Sequence, residues 1–386
     1  MAPSQPCPEP MRILNIIQCS NLGGMEQASL RLMEALQRRG HALSVVSLHP
    51  LGPLAPALLA SSIPALGLGY GQVPLWRWLR RLRRELRRQA PDALLLTGHS
   101  LPALLAIAGG CHGRLVLAIH FHHTGVKPRW FWWLFYAIAT RQFRAITFPS
   151  HFVRREAIAL YPPLATRART VRNPLTPPAL ITPAARLQAR RELGLSPEGP
   201  VVGNGGWLIP RKRFDVFLQV AARVLAHQPQ VRFVIAGDGP EAASLKTLAR
   251  ELGIERSVHW LGWQVSMEPV YAALDLLLFH SDWDAMGLTP IEAMARGLPV
   301  VASVLHGGLR EVASTPAVAV VLEQHDPEAL ASHVLRLLSD PAAAAALGSR
   351  GRRQVLALSD SEAIASWHER ALADPAPLVP PADPLP

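Results

Sequence analysis

Residues 280–311 read HSDWDAMGLTPIEAMARGLPVVASVLHGGLRE. Working outward, the apolar run from Leu274 to Phe279 leads in as a strand. The run from Pro299 to Ser303 leads out as another, with a helical pattern between them. Strand, helix, strand at this spacing is the βαβ unit of a parallel sheet. The helix opens at Gly287, Leu288, Thr289 and Pro290. Two acids flank the opening, Asp284 and Glu292, eight positions apart (292 − 284 = 8). A first helical turn has unpaired N–H groups and the positive end of the dipole, so it suits a diphosphate. Carboxylates beside it accept hydrogen bonds from sugar hydroxyls. Thr289, Pro290 and Glu292 also fit an N-cap, a first-turn proline and a capping-box acid. Glu292 therefore has two readings, a cap of its own helix, which the motif alone favours, or an acceptor of hydroxyls beside the diphosphate.

The same alternation of short apolar and longer amphipathic runs fills the chain. Residues 12–18, 41–48, 92–97, 115–120 and 145–149 read as strands, and 24–39 as the helix after the first. Asn173-Pro174 and a proline-rich run to Pro183 read as a linker. Strands then resume at 201–205, 232–236, 257–261 and, beyond the opening stretch, 317–322. A chain of 386 residues exceeds one ordinary core. Two doubly wound domains are expected, 11–175 and 176–358, with a terminal helix at 359–372 packing back on the first. The proline-rich tail 373–386 has too few bulky apolar residues to pack and is expected to be disordered.

Composition narrows the partners. Hydrophobic residues make up 49% and charged residues 17%, as in a core-rich globular protein. Cys7, Cys19 and Cys111 have neither paired spacing nor a CxxC, which fits thiols in a reducing compartment. The segment MAPSQPCPEP lacks the basic and apolar parts of a secretory leader, and no apolar run is long enough to span a bilayer. A cytoplasmic location is expected. The net charge of +11 favours anionic partners such as nucleotide diphosphates or acidic headgroups. Neither zinc-finger spacing nor an RRM signature is present, so nucleic acid ranks last.

An ordered series of motifs carries a resemblance. It comprises Glu292-Ala293-Met294-Ala295, Gly297, Pro299-Val300-Val301 and Gly307-Gly308 with Glu311. Earlier in the chain come NLGGMEQ from Asn21, LAIH ending at His120, IAGDGP from Ile235 and WLGW around Gly262. The series resembles glycosyltransferase family four over about residues 11–370. It implies an α/β fold of GT-B architecture, two Rossmann-like domains facing across a cleft. It implies transfer of a sugar, with retained configuration and without a metal or other cofactor, from a UDP- or GDP-sugar to an acceptor hydroxyl. The setting would be cell-envelope polysaccharide or glycolipid synthesis.

On this resemblance Lys212 neutralises the diphosphate, Asp284 holds sugar hydroxyls and His120 faces the donor sugar. Gly23, Gly24, Gly237, Gly287, Leu288, Thr289, Glu292, Gly308 and Glu311 bind the donor. The sequence departs from the family in carrying Asp284 for Glu, and Ala285 and Met286 for Gly and Phe. It carries Trp207 for Arg five positions before Lys212 (212 − 207 = 5), leaving Arg211 or Arg213 to supply that charge.

Other residues have readings of their own. Gly23-Gly24 lies between the first strand and first helix, where open α/β sheets place ligands, but without GxGxxG it is not a dinucleotide fingerprint. Glu26 reads as a first-turn acid suited to the helix dipole. His120 and His122 would share one strand face, but no acid stands at ligand spacing, so a metal site is not supported; His122 and His123 read as loop residues. WRWLRRLRRELRRQ, from Trp76 to Gln89, is a basic helix, and WFWWLFYAIA, from Trp130 to Ala139, an aromatic one. Solvated and core helices explain them separately; a peripheral membrane surface explains them together. Two rival functions remain open: a nucleotide-sugar 2-epimerase, and a donor-binding protein that is catalytically weak or partner-dependent.

Overall fold

The computed structural model describes residues 9–21, 23–108, 114–122 and 125–373. Cys7, Cys111, His123 and tail residues 374–386 lie outside them. The described chain divides into two compact units, within Met1–Thr176 plus Ser359–Pro386 and within Pro177–Leu358.

The first unit holds seven strands: β1 (Arg12–Ile17), β2 (Ala42–Ser47), β3 (Ala65–Gly67), β4 (Ala93–Thr97), β5 (Arg114–Ala118), β6 (Ala145–Phe148) and β7 (Ala168–Thr170). They form one parallel sheet in the order β3-β2-β1-β4-β5-β6-β7. The strands β1, β4 and β5 are apolar almost throughout because helices cover both faces, which is why they read as runs. The edge strands β3 and β7 have three residues each and no apolar run, so periodicity alone gave no sign of them. The helix Gly24–Arg38 lays Leu32, Met33 and Leu36 into this core. The last helix, Ser361–Ala373, adds Ile364, Ala365 and Leu372 to the same core. Its buried Glu369 accepts from Arg39 Nε at 3.0 Å and pairs with His41 Nε2 at 2.9 Å. Leu175 N–H donates to Ser359 C=O at 2.9 Å, where the chain leaves this unit and where it returns.

The second unit holds β8 (Val201–Gly205), β9 (Arg232–Ala236), β10 (Val258–Gly262), β11 (Leu276–Asp284), β12 (Val300–Gly307) and β13 (Val320–Leu322), all parallel, in the order β10-β9-β8-β11-β12-β13. Phe217, Phe233, Ile235, Leu278 and Val301 anchor its core. The longest strand, β11, runs beyond Phe279, where the apolar run stopped, and ends on Asp284 opposite Gly307 of β12. Asp284 is thus a strand terminus, held by the sheet. Both units are Rossmann-like, with sheet connections passing through helices.

Candidate active site

The C-terminal edge of the second sheet gathers most of the expected residues. Gly287 adopts left-handed torsions (φ 73°) and is the N-cap of the helix Leu288–Ala295, with no side-chain cap bond. Thr289 is therefore inside the first turn and is not the cap. Its hydroxyl donates to Gly205 C=O at 3.2 Å, fastening the helix start to the end of β8. Glu292 is the fifth helical residue, too far along to close a capping box. Its Oε2 accepts from the Tyr271 hydroxyl at 3.1 Å. The Arg296 guanidinium lies over the Tyr271 ring, 4.8 Å from its centroid. Leu288 and Thr289 present first-turn N–H groups that have no acceptor within the helix.

Lys212 stands on the turn Pro210–Lys212, ahead of the helix Phe214–His227. Its ammonium donates to Asp284 Oδ2 and lies 5.0 Å from the centroid of the Phe279 ring. Asp284 Oδ1 accepts from Gly287 N–H at 3.1 Å, and Arg211 Nη1 is 3.9 Å from Oδ2. Burial pushes the Asp284 carboxyl up, but the charges of Lys212 and Arg211 and the bonds from Lys212 and Gly287 outweigh it. The net shift is downward, so the group is ionised at neutral pH. Lys212 and Asp284, given separate partners by the sequence reading, here hold each other.

A polar chain that the sequence reading missed continues from this turn. Arg213 takes left-handed torsions (φ 48°) and grips Asp215 with two bonds, at 2.9 and 3.0 Å, and Asp282 with one at 3.2 Å. Asp282 Oδ1 meets His325 Nε2 at 2.9 Å; His325 Nδ1 meets Ser303 Oγ at 2.6 Å; Ser303 Oγ meets His280 Nδ1 at 2.7 Å. Burial, then the neighbouring His325, pushes His280 down to about 3, so it is neutral. Asp282 and Asp284 stand two apart on one strand, hence on one face, which was the available signal. Their partners lie on distant segments.

The glycines divide by role. A Cβ on Gly237 would collide with the Gly206 carbonyl, so this glycine lets two strand-end loops cross. A Cβ on Gly307 (φ 153°) would collide with the Asp284 carbonyl. Gly308 has helical torsions (φ −75°), and its N–H donates to Asp284 C=O at 3.3 Å. Of the two glycines, Gly307 is the one that the close backbone approach requires. Gly307→Ala is expected to lower stability by more than about 2 kcal/mol, through backbone collision and torsional strain, and Gly308→Ala by less than about 1 kcal/mol. Thermal unfolding of the two variants reads this, and equal melting temperatures would refute it. Glu311 sits half-buried in the helix Leu309–Val312.

Gly23, Gly24 and His120 belong to the first unit. Gly23 caps the helix beginning at Gly24 in an ordinary extended conformation (φ −87°). A Cβ there would strike the Glu26 carboxylate. Glu26 stands in the first turn of that helix, as read from the sequence, but is buried and accepts from Cys19 Sγ at 2.9 Å. Burial raises its carboxyl, and burial with Glu26 pushes the Cys19 thiol to about 11. His120 lies beyond β5, which ends at Ala118, so it shares no strand face with His122. Burial, then nearby His368, lowers His120 to about 4 against a hydrogen bond with Asn173; its Nδ1 is buried without a hydrogen-bond partner. His122 Nδ1 instead meets the Tyr136 hydroxyl at 3.0 Å. Among the described residues no group of three or more His, Cys, Asp or Glu is placed to hold a metal ion.

Two doubly wound parallel sheets in one chain, the second with an anion-ready helix mouth at its strand ends, define the GT-B architecture. The chain belongs to the glycosyltransferases built on it: residues 22–177 match the family described as Glycosyltransferase Family 4, and residues 186–354 the one described as Glycosyl transferases group 1.

A GDP-mannose-dependent monoacylated alpha-(1-6)-phosphatidylinositol monomannoside mannosyltransferase of Corynebacterium glutamicum is 31% identical over 46% of this chain and 48% of its own length. A D-inositol 3-phosphate glycosyltransferase of Thermobispora bispora is 34% identical over 50% of this chain and 48% of its own. The chain thus spans about half the length of the curated relatives it matches. Among solved structures, Anabaena HepE in complex with UDP-glucose superposes with a TM-score of 0.81 at 20% identity, covering 94% of this chain and 99% of HepE. Crystalline TarM gives a TM-score of 0.76 at 13% identity, covering 95% of this chain and 100% of TarM.

Proposed function

We propose that the protein transfers a sugar from a UDP- or GDP-sugar to the hydroxyl of a lipid-linked or glycan acceptor, with retention and without a metal. The observation that carries this is the cluster at the helix mouth, where Lys212, Asp284 and Gly287 N–H meet beside open first-turn amides. A diphosphate would replace Asp284 as the partner of Lys212 and accept from the N–H groups of Leu288 and Thr289. Asp284, released, would accept from sugar hydroxyls, and Glu292, steadied by Tyr271, from the ribose. As the bond to the sugar breaks, these cationic and amide groups stabilise charge on the leaving phosphate. That phosphate takes the acceptor proton, so no protein nucleophile is needed. The named substrates of the Corynebacterium relative, GDP-mannose and a phosphatidylinositol mannoside, support a glycolipid setting.

The test is incubation with UDP-, GDP- and ADP-sugars and membrane lipid extract, with and without EDTA. The expected result is a glycosylated product of unchanged anomeric configuration, formed equally in EDTA. An epimerised nucleotide sugar would favour the 2-epimerase. Donor binding without turnover would favour the donor-binding rival. Activity lost in EDTA and restored by a divalent ion would remove metal independence.

A membrane-facing acceptor gains support from the first unit. The basic helix Leu75–Gln89 buries Trp78, Leu82 and Leu86 but exposes Leu75 and Trp76, with Arg77 and Arg80 each 5.0 Å from the Trp76 ring centroid. The aromatic helix Arg129–Gln142 buries Trp132, Phe135 and Tyr136 but exposes Trp130 and Trp133. The helix Leu101–Ala108 packs against both and exposes Leu105. Core packing therefore explains one side of each helix and leaves an aromatic, arginine-rich surface on the other. Among the described residues no helix is long and apolar enough to cross a membrane. Sedimentation with anionic vesicles is expected to exceed that with neutral vesicles, and to fall at least about fivefold in Trp76→Ala/Trp130→Ala/Trp133→Ala. Equal recovery in all cases would refute the surface.

A further inference from the structure

The diphosphate reading leaves a shortage of charge. A nucleotide sugar brings roughly two negative charges, with more developing as the sugar departs. Lys212 is already balanced by Asp284, so the pair contributes no net positive charge. The nearby Trp207 offers none; its ring stands 4.7 Å from that of Trp263, centroid to centroid. The turn that carries Lys212 also carries Arg211 and is followed by Arg213, and the sequence leaves these two equal as a second cation.

The structure separates them. Arg213 spends its Nε and both terminal nitrogens on Asp215 and Asp282, two carboxylates against one guanidinium. Three of its five N–H groups are committed to these carboxylates, whose charge more than cancels its own. Arg211 is held by neutral groups: its Nη1 donates to Trp283 C=O at 2.8 Å, and its own carbonyl accepts from Ser281 Oγ at 3.1 Å. Its Nη1 lies 3.9 Å from the carboxylate oxygen that Lys212 also holds. Its Nε and Nη2 have no partner among the described protein groups, and its side chain is 35% exposed. It is an anchored guanidinium with donors to spare, held beside the carboxylate that a diphosphate would displace from Lys212.

We infer that Arg211 is the second diphosphate-binding cation of this enzyme and stabilises the leaving group together with Lys212, while Arg213 only braces the turn. The inference rests on the proposed donor reading and names a residue which that reading leaves open.

Titrating wild type, Arg211→Gln, Arg211→Lys and Arg213→Gln with UDP, UMP, GDP, GMP and the free nucleosides tests it. Wild type is expected to prefer a diphosphate over the matching monophosphate. Arg211→Gln should cut that preference by about tenfold with nucleoside affinity unchanged, and Arg211→Lys should recover part of it. Arg213→Gln should lower the melting temperature and keep the preference. An undiminished preference in Arg211→Gln, or its collapse in Arg213→Gln but not in Arg211→Gln, would overturn the inference and leave the donor reading standing. A wild-type protein that binds neither diphosphate would overturn the donor reading, and the inference with it.

Discussion

Lys212→Ala is expected to lower turnover by about 10²- to 10³-fold, the range seen when one preorganised stabiliser of developing charge is removed. Acceptor KM should change little if, as proposed, the lost contact is to the leaving group. A rate within a factor of about three of wild type would remove Lys212 from the mechanism. The pairing with Asp284 adds a second signature. In wild type the Asp284 carboxyl is held below its ordinary range, chiefly by Lys212 acting against burial. A depressed carboxyl stabilises the fold above its unfolded pKa, and that contribution is lost as pH falls through the folded value. The variant lacks the pair at every pH. Its stability deficit against wild type should therefore be largest near neutrality and shrink on acidification, and a deficit that grew instead would contradict the pairing.

Glu292→Gln is expected to weaken nucleotide binding by about tenfold or more, since an amide replaces the charged acceptor proposed for the ribose hydroxyls. The fold should be nearly undisturbed. Glu292 lies too far along its helix to be a capping-box acid, and the Tyr271 hydroxyl can donate to the amide oxygen as it does to the carboxylate. Tyr271→Phe should give a weaker loss of the same kind, because it removes one support of the acid and leaves the acid itself. Titration with UDP and GDP beside thermal unfolding reads both variants. A lower melting temperature with intact affinity would return Glu292 to a structural role.

Much of the fold could be read beforehand for a simple reason. Strands covered on both faces become apolar runs, as at β1, β4 and β11, and intervening helices keep an amphipathic period. The three-residue edges β3 and β7 escaped because edge strands need no such run. At the site, Gly287, Leu288 and Thr289 were found from the local glycine-to-helix transition. The reading of Thr289 as cap failed because a left-handed Gly287 starts the helix two residues earlier, freeing the threonine hydroxyl for Gly205. The sequence shows the pair Gly307-Gly308 but not that Gly307 is the one facing the Asp284 carbonyl.

By itself, then, the sequence determined two parallel α/β sheets, a glycine-opened helix mouth after β11 and the acids that flank it. Each follows from periodicity or from torsions spanning a few residues. The tertiary structure alone decided that Lys212 meets Asp284 across 72 positions, that Tyr271 steadies Glu292 across 21, and that Thr289 reaches Gly205 across 84. The first and last of these require β8 to lie beside β11 in the sheet. Strand order is chosen by the packing of the whole unit, and hydrophobic period is the same whichever neighbour a strand takes.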